Sequence, residues 1–274
     1  MPLPFNNKNR EKNFDSHPIM KHYKNKAPRV FQSKLVELFF HIPQMIAFLR
    51  SLPENYTFTD IMKALEVKRG FRLKTMNTQA VPREGPLVIV ANHPHILVDQ
   101  LSIGAMIEPL RPHSEIRVIT DNAPKWLENI YPFSEKVWKT PKEKKAFRER
   151  INTLLEHNGT LIVFPWAKLT YRHWINGYTM EWRWRSGAIH FAKYANAPIV
   201  PIHVTAKTSM IYNFCSNFFS REIMQNLNFR QALKKEMYIG LTVGKPLTSL
   251  EDITPENLRD IVYELGDEAY LLKK

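Results

Sequence analysis

Residues 87–100 read LVIVANHPHILVDQ, and a turn-forming segment, PREGP at 82–86, precedes them. Leu87 to Ala91 are all apolar and include three β-branched residues, a composition typical of a strand buried on both faces of a sheet. Polar residues follow directly from Asn92 onward. Because open α/β sheets bind ligands at the carboxyl ends of their strands, the residues after Ala91 are the first candidates for chemistry.

Predicted strands and helices alternate along the rest of the chain. Further strands are predicted from apolar runs or alternation at 71–76, 116–120, 160–164 and 199–204. The clearest helix begins at Pro141 and ends near His157, with Thr140 as N-cap and Glu143 closing a capping box. Other helices are expected at 59–65 and after Pro255. This alternation predicts βαβ units and an α/β fold.

The local chemistry after Ala91 centres on His93 and Asp99. Pro94 disfavours helical backbone at His93, which places His93 in the loop and Asp99 early in the following helix. The two side chains can therefore meet across the helix start, where the carboxylate would fix the imidazole tautomer. An alternative pairs His95 with Asp99, four residues apart, on one helical face. A purely structural interpretation also stays open, in which His93 bonds the backbone and Asp99 caps a turn.

Metal and thiol chemistry have little support in the sequence. The spacing of His93 and His95 is compatible with a metal site. No third ligand follows at a characteristic sequence spacing, so we predict no metal site. Cys215 is the one cysteine, which excludes a disulfide framework and fits a reducing compartment. It lies between Phe214 and Ser216 and is predicted to be structural.

The chain is strongly basic, with 39 Lys and Arg against 26 Asp and Glu and a formal net charge of +13. Such an excess points to a polyanionic partner, and nucleic acid, anionic lipid and phosphorylated substrates all carry the required charge. Residues 1–34 have no signal-peptide pattern and are predicted to form a basic arm. Residues 35–49 are apolar but too short and too polar to span a bilayer. They either pack on the core or enter a lipid interface beside the arm.

Four blocks of the chain, in order, resemble the glycerolipid acyltransferase superfamily. Its signatures are similar to Asn92-His93-Pro94 followed by Asp99, to GTLIVFP at 159–165, to WRSGA at 184–188, and to APIVPI at 197–202. The resemblance covers roughly residues 58–247. Within the superfamily the chain most resembles the branch of hemolysin-like and ornithine-lipid acyltransferases, through its Asn-His-Pro, its Trp-Arg-x-Gly pattern, and FRQAL at 229–233 before a final strand.

The resemblance implies a mixed, largely parallel central sheet flanked by helices, preceded by an N-terminal amphipathic helical arm. It divides the chain into residues 1–57, the arm with a possible membrane-association segment, and residues 58–274, the catalytic domain. It implies transfer of an acyl chain from acyl-CoA or acyl carrier protein, as co-substrate and without another cofactor, to a hydroxyl of a lysolipid acceptor.

The resemblance also implies roles for particular residues. His93 would be the general base and Asp99 would orient it, with His95 as the alternative base. No covalent intermediate is required, which agrees with the absence of a Gly-x-Ser-x-Gly nucleophile elbow. Substrate contacts are expected from Asn92, Pro165, Trp166, Lys168, Arg183 and Arg185. The two arginines lie in EWRWR at 181–185, where a strand would place both on one side and suit them to an anionic head group.

One departure from the superfamily leaves a second function open. Its Phe-Pro-Glu-Gly block is here Phe164-Pro165-Trp166-Ala167, which lacks both the acid and the glycine. The sequence is thus also consistent with a catalytically inactive lipid-binding relative. A nucleic-acid-binding protein would rest on charge alone, and a lipid hydrolase lacks a nucleophile. We expect a cytoplasmic protein that binds peripherally to the anionic surface of the inner membrane on its cytoplasmic face.

Overall fold

The structure is a computed structural model. It describes residues 56–95, 98–120, 134–136, 140–166, 171–172, 179–181, 183–206 and 238–271. The predicted basic arm and the apolar segment at 35–49 lie outside the described residues, as do Lys168, Cys215 and residues 229–233. Within the described ranges, no helix combines the length and the apolar character needed to cross a bilayer.

Seven strands of the described residues form one sheet, in the order β1-β9-β8-β2-β5-β3-β4. Their bounds are β1 Arg72–Met76, β2 Leu87–Ala91, β3 Ile116–Thr120, β4 Ser134–Lys136, β5 Thr160–Val163, β8 Ile199–Ala206 and β9 Tyr238–Val243. Two short strands, β6 Tyr171–Arg172 and β7 Thr179–Met180, pair separately. The strands predicted at 71–76, 87–91, 116–120, 160–164 and 199–204 are all confirmed, with end points within two residues.

The large sheet is mixed and mostly parallel, as predicted. Its neighbouring strands pair in parallel except for β8 and β9, which are antiparallel. Strand β2 is central, with β5 on one side and β8 on the other, and all five of its residues are buried. Its continuous apolar sequence follows from this position, because both of its faces are covered by helices.

In the described part of the chain, five α-helices flank the sheet, and their ends follow local capping rules. They are α1 Phe58–Arg69, α2 Val98–Ile107, α3 Pro141–Glu156, α4 Gly187–Tyr194 and α5 Pro255–Leu271. Helix α3 begins as predicted, with a Thr140–Glu143 capping box and a proline in its first turn. Its buried residues are the predicted apolar stripe, Phe147, Ile151, Leu154 and Leu155.

The core has two halves, one on each face of the sheet. Helices α1 and α2 pack with Leu87, Ile89 and Ala91 of β2 on one face. Helices α3, α4 and α5 pack with Val88 and Val90 on the other. The alternation of β2 side chains between these halves is the ordinary consequence of a two-residue strand period.

Residues 181 and 183–185 do not form a strand, which corrects the prediction from the alternating sequence of EWRWR. Its backbone bonds elsewhere, since the N–H of Arg185 donates to the carbonyl of Pro165 at 3.0 Å. Trp184 is 3% exposed and belongs to the core half of α3, α4 and α5. The alternation arises because the segment buries Trp184 and leaves Arg183 and Arg185 exposed.

Candidate active site

The polar residues after β2 are held at the carboxyl end of the sheet by contacts to both neighbouring strands. Parallel pairing sets Val90 opposite Val163, so the loop after β2 lies beside Phe164 and Pro165 after β5. On the other side, the Asn92 amide donates to the Val204 carbonyl at 3.0 Å and accepts from the Val204 N–H at 2.7 Å. Asn92 therefore ties the loop to β8. Its predicted contact with substrate stays a prediction.

His93 and Asp99 meet, as the sequence predicts. Nδ1 of His93 lies 3.0 Å from Oδ2 of Asp99, with His93 8% exposed and Asp99 fully buried. The His93 ring stacks on Phe164, with ring centroids 4.2 Å apart and an angle of 28° between the ring planes. One carboxylate oxygen and one aromatic face thus fix the orientation of the imidazole.

Asp99 is itself fixed by the start of α2, where it is the second residue. Its Oδ2 also accepts the backbone N–H of His95 at 2.6 Å. The helix begins at Val98, so His95 lies in the loop and the helical pairing of His95 with Asp99 is wrong. Pro94 disfavours helical backbone at His93, because the residue before a proline avoids that conformation. His95 contributes its main chain to Asp99, and its side chain is fully buried.

Burial raises the pKa of Asp99 to about 8, although the charge and the N–H of His95 act in the opposite direction. A neutral imidazole beside the Asp99 carboxylate gives the pair a net charge of −1. When the imidazole takes up a second proton, the pair becomes neutral overall. Because a buried site disfavours net charge, burial of Asp99 increases the tendency of His93 to accept a proton.

Sequence analysis missed Glu181, which the fold brings to the same loop from 88 residues away. Its Oε1 accepts the backbone N–H of His93 at 2.7 Å, and its Oε2 accepts the indole N–H of Trp184 at 2.7 Å. Glu181 is 5% exposed. The only local signal was a lone acid beside aromatic residues in EWRWR, which says nothing about a distant partner.

The remaining predicted site residues lie in different environments. Pro165 is buried, and Trp166 is half-buried against the core half that includes α3 and α4. Arg183 and Arg185 are exposed on the segment anchored by Trp184. Within the part of the chain that the structure describes, no group of three His, Cys, Asp or Glu side chains is arranged to hold a metal ion.

Comparison with known proteins supports one class. Residues 72–205, just under half of the chain, match the family model described as Acyltransferase. This range includes His93, Asp99 and Glu181. No curated protein sequence matches the chain significantly. Among solved structures, the chain is similar to the crystal structure of the 1-acyl-sn-glycerophosphate (LPA) acyltransferase PlsC from Thermotoga maritima. The TM-score is 0.47 and the identity 14%, over 88% of this chain and 97% of that chain.

The match of residues 72–205 to the Acyltransferase family model confirms the predicted enzyme class, an acyltransferase. The mixed, largely parallel sheet expected for such a domain is the one observed. The match does not distinguish the hemolysin-like and ornithine-lipid branch from other branches of the superfamily. The assignment to that branch stays a prediction.

Proposed function

We propose that the protein transfers an acyl chain from an acyl thioester to a hydroxyl group of a lysolipid, with His93 as general base. The observation that carries this proposal is the buried contact of His93 Nδ1 with Asp99 Oδ2 at the carboxyl end of β2. Contact with Asp99 at Nδ1 assigns Nε2 as the atom that takes the hydroxyl proton. A neutral imidazole is the side chain suited to this task near pH 7.

The reaction then needs no covalent enzyme intermediate. The acceptor oxygen attacks the thioester carbonyl as its proton passes to His93 Nε2, which forms a C–O bond and a tetrahedral oxyanion. Collapse of the oxyanion breaks the C–S bond, and the proton on His93 passes to the departing thiolate. Asp99 holds the ring and stabilises the imidazolium between these two transfers.

The oxyanion needs hydrogen-bond donors, and the described contacts narrow the choice. The N–H groups of His93 and His95 already donate to Glu181 and Asp99. Pro165 has no N–H. Backbone N–H groups after Pro165 or at the start of α2 are therefore the proposed donors to the oxyanion.

The proposed acceptor is a lysolipid with an anionic group near its free hydroxyl. Arg183 and Arg185 are exposed on the segment tied to the His93 loop through Glu181 and Trp184, and guanidinium groups bind phosphate or carboxylate well. Acyl-CoA and acyl carrier protein are both proposed donors. The net charge of +13 supports peripheral binding to the anionic cytoplasmic face of the inner membrane.

The test is acyl transfer by the purified full-length chain. Labelled palmitoyl-CoA or palmitoyl-acyl carrier protein is incubated with a panel of lysolipids, and products are separated by lipid chromatography. We expect the His93→Ala variant to lose about 10²- to 10⁴-fold in turnover. The matched control is His113→Ala, which changes an exposed histidine and should retain activity.

Two other outcomes would replace the proposal. Binding to vesicles without transfer to any acceptor would identify an inactive lipid-binding relative. Release of free fatty acid without an acceptor would identify a hydrolase.

A further inference from the structure

The Glu181 carboxylate joins the His93 loop to the segment that presents Arg183 and Arg185. Both of its oxygens accept N–H groups at 2.7 Å, one from the His93 main chain and one from the Trp184 indole. The residue is 5% exposed and follows β7 directly. The backbone of Arg185 also bonds Pro165, so this segment contacts the ends of both β2 and β5.

This position requires a carboxylate in particular. Since both partners are donors, a carboxylate can accept from each of them, whereas a glutamine can accept from one and must turn its own N–H₂ toward the other. Hydrogen bonds from two N–H groups favour the charged form of a carboxylic acid over the neutral form. Glu181 is therefore suited to remain an anion inside the protein.

We propose that Glu181 is a positioning residue for His93, holding its main chain in place and supplying a second negative charge next to the imidazole. Titratable groups reach His93 from each element around it. Among the described residues these are Asp99 from α2, His95 from the same loop, and Glu181 from the segment after β7, which also carries the exposed Arg183 and Arg185. Phe164, which follows β5, is apolar and stacks on the ring.

The two negative charges then have separate tasks. Asp99 contacts the ring itself and sets its tautomer. Glu181 contacts the main chain and sets where the ring stands relative to Phe164 and Asp99. Removing its charge lowers the stability of the imidazolium, so the pKa of His93 falls.

The experiment compares Glu181→Gln with Trp184→Phe in the full-length chain. For Glu181→Gln we expect kcat to fall roughly tenfold to a hundredfold, because small misplacements of a catalytic group are costly. The acidic limb of the pH–rate profile should move to lower pH by about 0.5 to 1 unit. For Trp184→Phe, which removes the other N–H but keeps the carboxylate, we expect a lower melting temperature and an unchanged acidic limb.

A second measurement is independent of turnover, because this proposal rests on the proposed function for its kinetics. NMR titration of the ¹⁵N-labelled imidazoles, with the His93 signals assigned through His93→Ala, gives the His93 pKa directly. We expect it to fall in Glu181→Gln even if no lysolipid is acylated. Failure of acyl transfer in the wild-type chain would thus overturn the proposed function and leave this inference standing.

Two results would overturn the inference. The first is an unchanged His93 titration in folded Glu181→Gln. The second is an equal change of the acidic limb in Glu181→Gln and Trp184→Phe, which would indicate a general packing effect. Should Glu181→Gln fail to fold, Glu181→Asp provides the test, since it keeps the charge and shortens the reach. It should lower kcat while leaving the acidic limb in place, and a wild-type kcat would overturn the inference.

Discussion

Two buried polar networks lie at opposite ends of the central strands. The arginine network, at the amino ends of β2 and β5, consists of Arg111, Ser114, Thr160 and the carbonyls of Pro82, Glu84, Gly85 and Asn158. The histidine network, at the carboxyl ends, consists of His93, His95, Asp99, Glu181 and Trp184. Both contain charged groups with very little exposure.

The arginine network is satisfied throughout. Every guanidinium nitrogen of Arg111 has an acceptor, with Nε on the Thr160 hydroxyl at 3.0 Å and the terminal nitrogens on backbone carbonyls. Burial lowers the pKa of Arg111, but an arginine starts so high that it stays protonated. Carbonyl oxygens thus replace water around the charge, and the network ties together the turn before β2 and the end of α3.

The histidine network is satisfied only in part. Oδ1 of Asp99 is buried without a hydrogen-bond partner among the described residues. Leaving buried oxygens unpaired lowers stability, which proteins tolerate mainly at functional sites. This difference supports a structural role for the arginine network and the proposed proton transfer in the histidine network.

The largest effect is expected from Asp99→Asn. The amide can still accept a hydrogen bond, but it no longer supports an imidazolium, so kcat should fall by about 10³- to 10⁴-fold. The melting temperature at pH 7 should change little, because the side chain keeps its volume. Turnover and thermal unfolding measured on one preparation check both parts. A large loss of stability with wild-type turnover would reverse the roles assigned to the two networks.

The opposite pattern is expected from Arg111→Met. The variant leaves several carbonyls and the Thr160 hydroxyl without their donor, and we expect a loss of roughly 3 to 5 kcal/mol in the free energy of unfolding. The kcat of the folded fraction should stay at the wild-type value. Chemical denaturation measures the loss, and Arg83→Met is the control. Arg83 is exposed and bonds one carbonyl at 3.4 Å, so its replacement should cost less than about 0.5 kcal/mol. Equal losses in the two variants would contradict this assignment.

The smallest effect is a pH dependence of stability that belongs to the histidine network alone. Burial raises the folded pKa of Asp99 to about 8, and its pair with His93 takes up one proton in total, whereas a free histidine in the unfolded chain loses its proton near pH 6.5. The folded state therefore binds more protons than the unfolded state between about pH 6.5 and pH 8. Stability should therefore decline as pH rises through this window, by at most about 1.4 kcal/mol per pH unit. Asp99→Asn should flatten the decline, whereas Asp252→Asn, at an exposed position, should leave it unchanged. An unaltered slope in Asp99→Asn would assign the decline to another group.

Sequence reasoning succeeded where the relevant residues are neighbours in the chain. Thr140, Pro141 and Glu143 predicted the start of α3 because a capping box is a local structure. His93 and Asp99 were paired correctly because Pro94 limits where the helix can begin. The segment 181–185 was misassigned because its alternation of exposed and buried residues is not unique to a strand.

Local sequence patterns, namely apolar periodicity and capping residues, determined most of the strands and helices and the loop that carries His93. Tertiary structure alone decided which distant groups meet there. Val204 lies 112 residues from Asn92 and Glu181 lies 88 residues from His93, and Arg111 reaches carbonyls that precede both β2 and β5. Such contacts depend on strand order and on long-range packing, and these arise from the burial of whole faces rather than from the spacing of neighbouring residues.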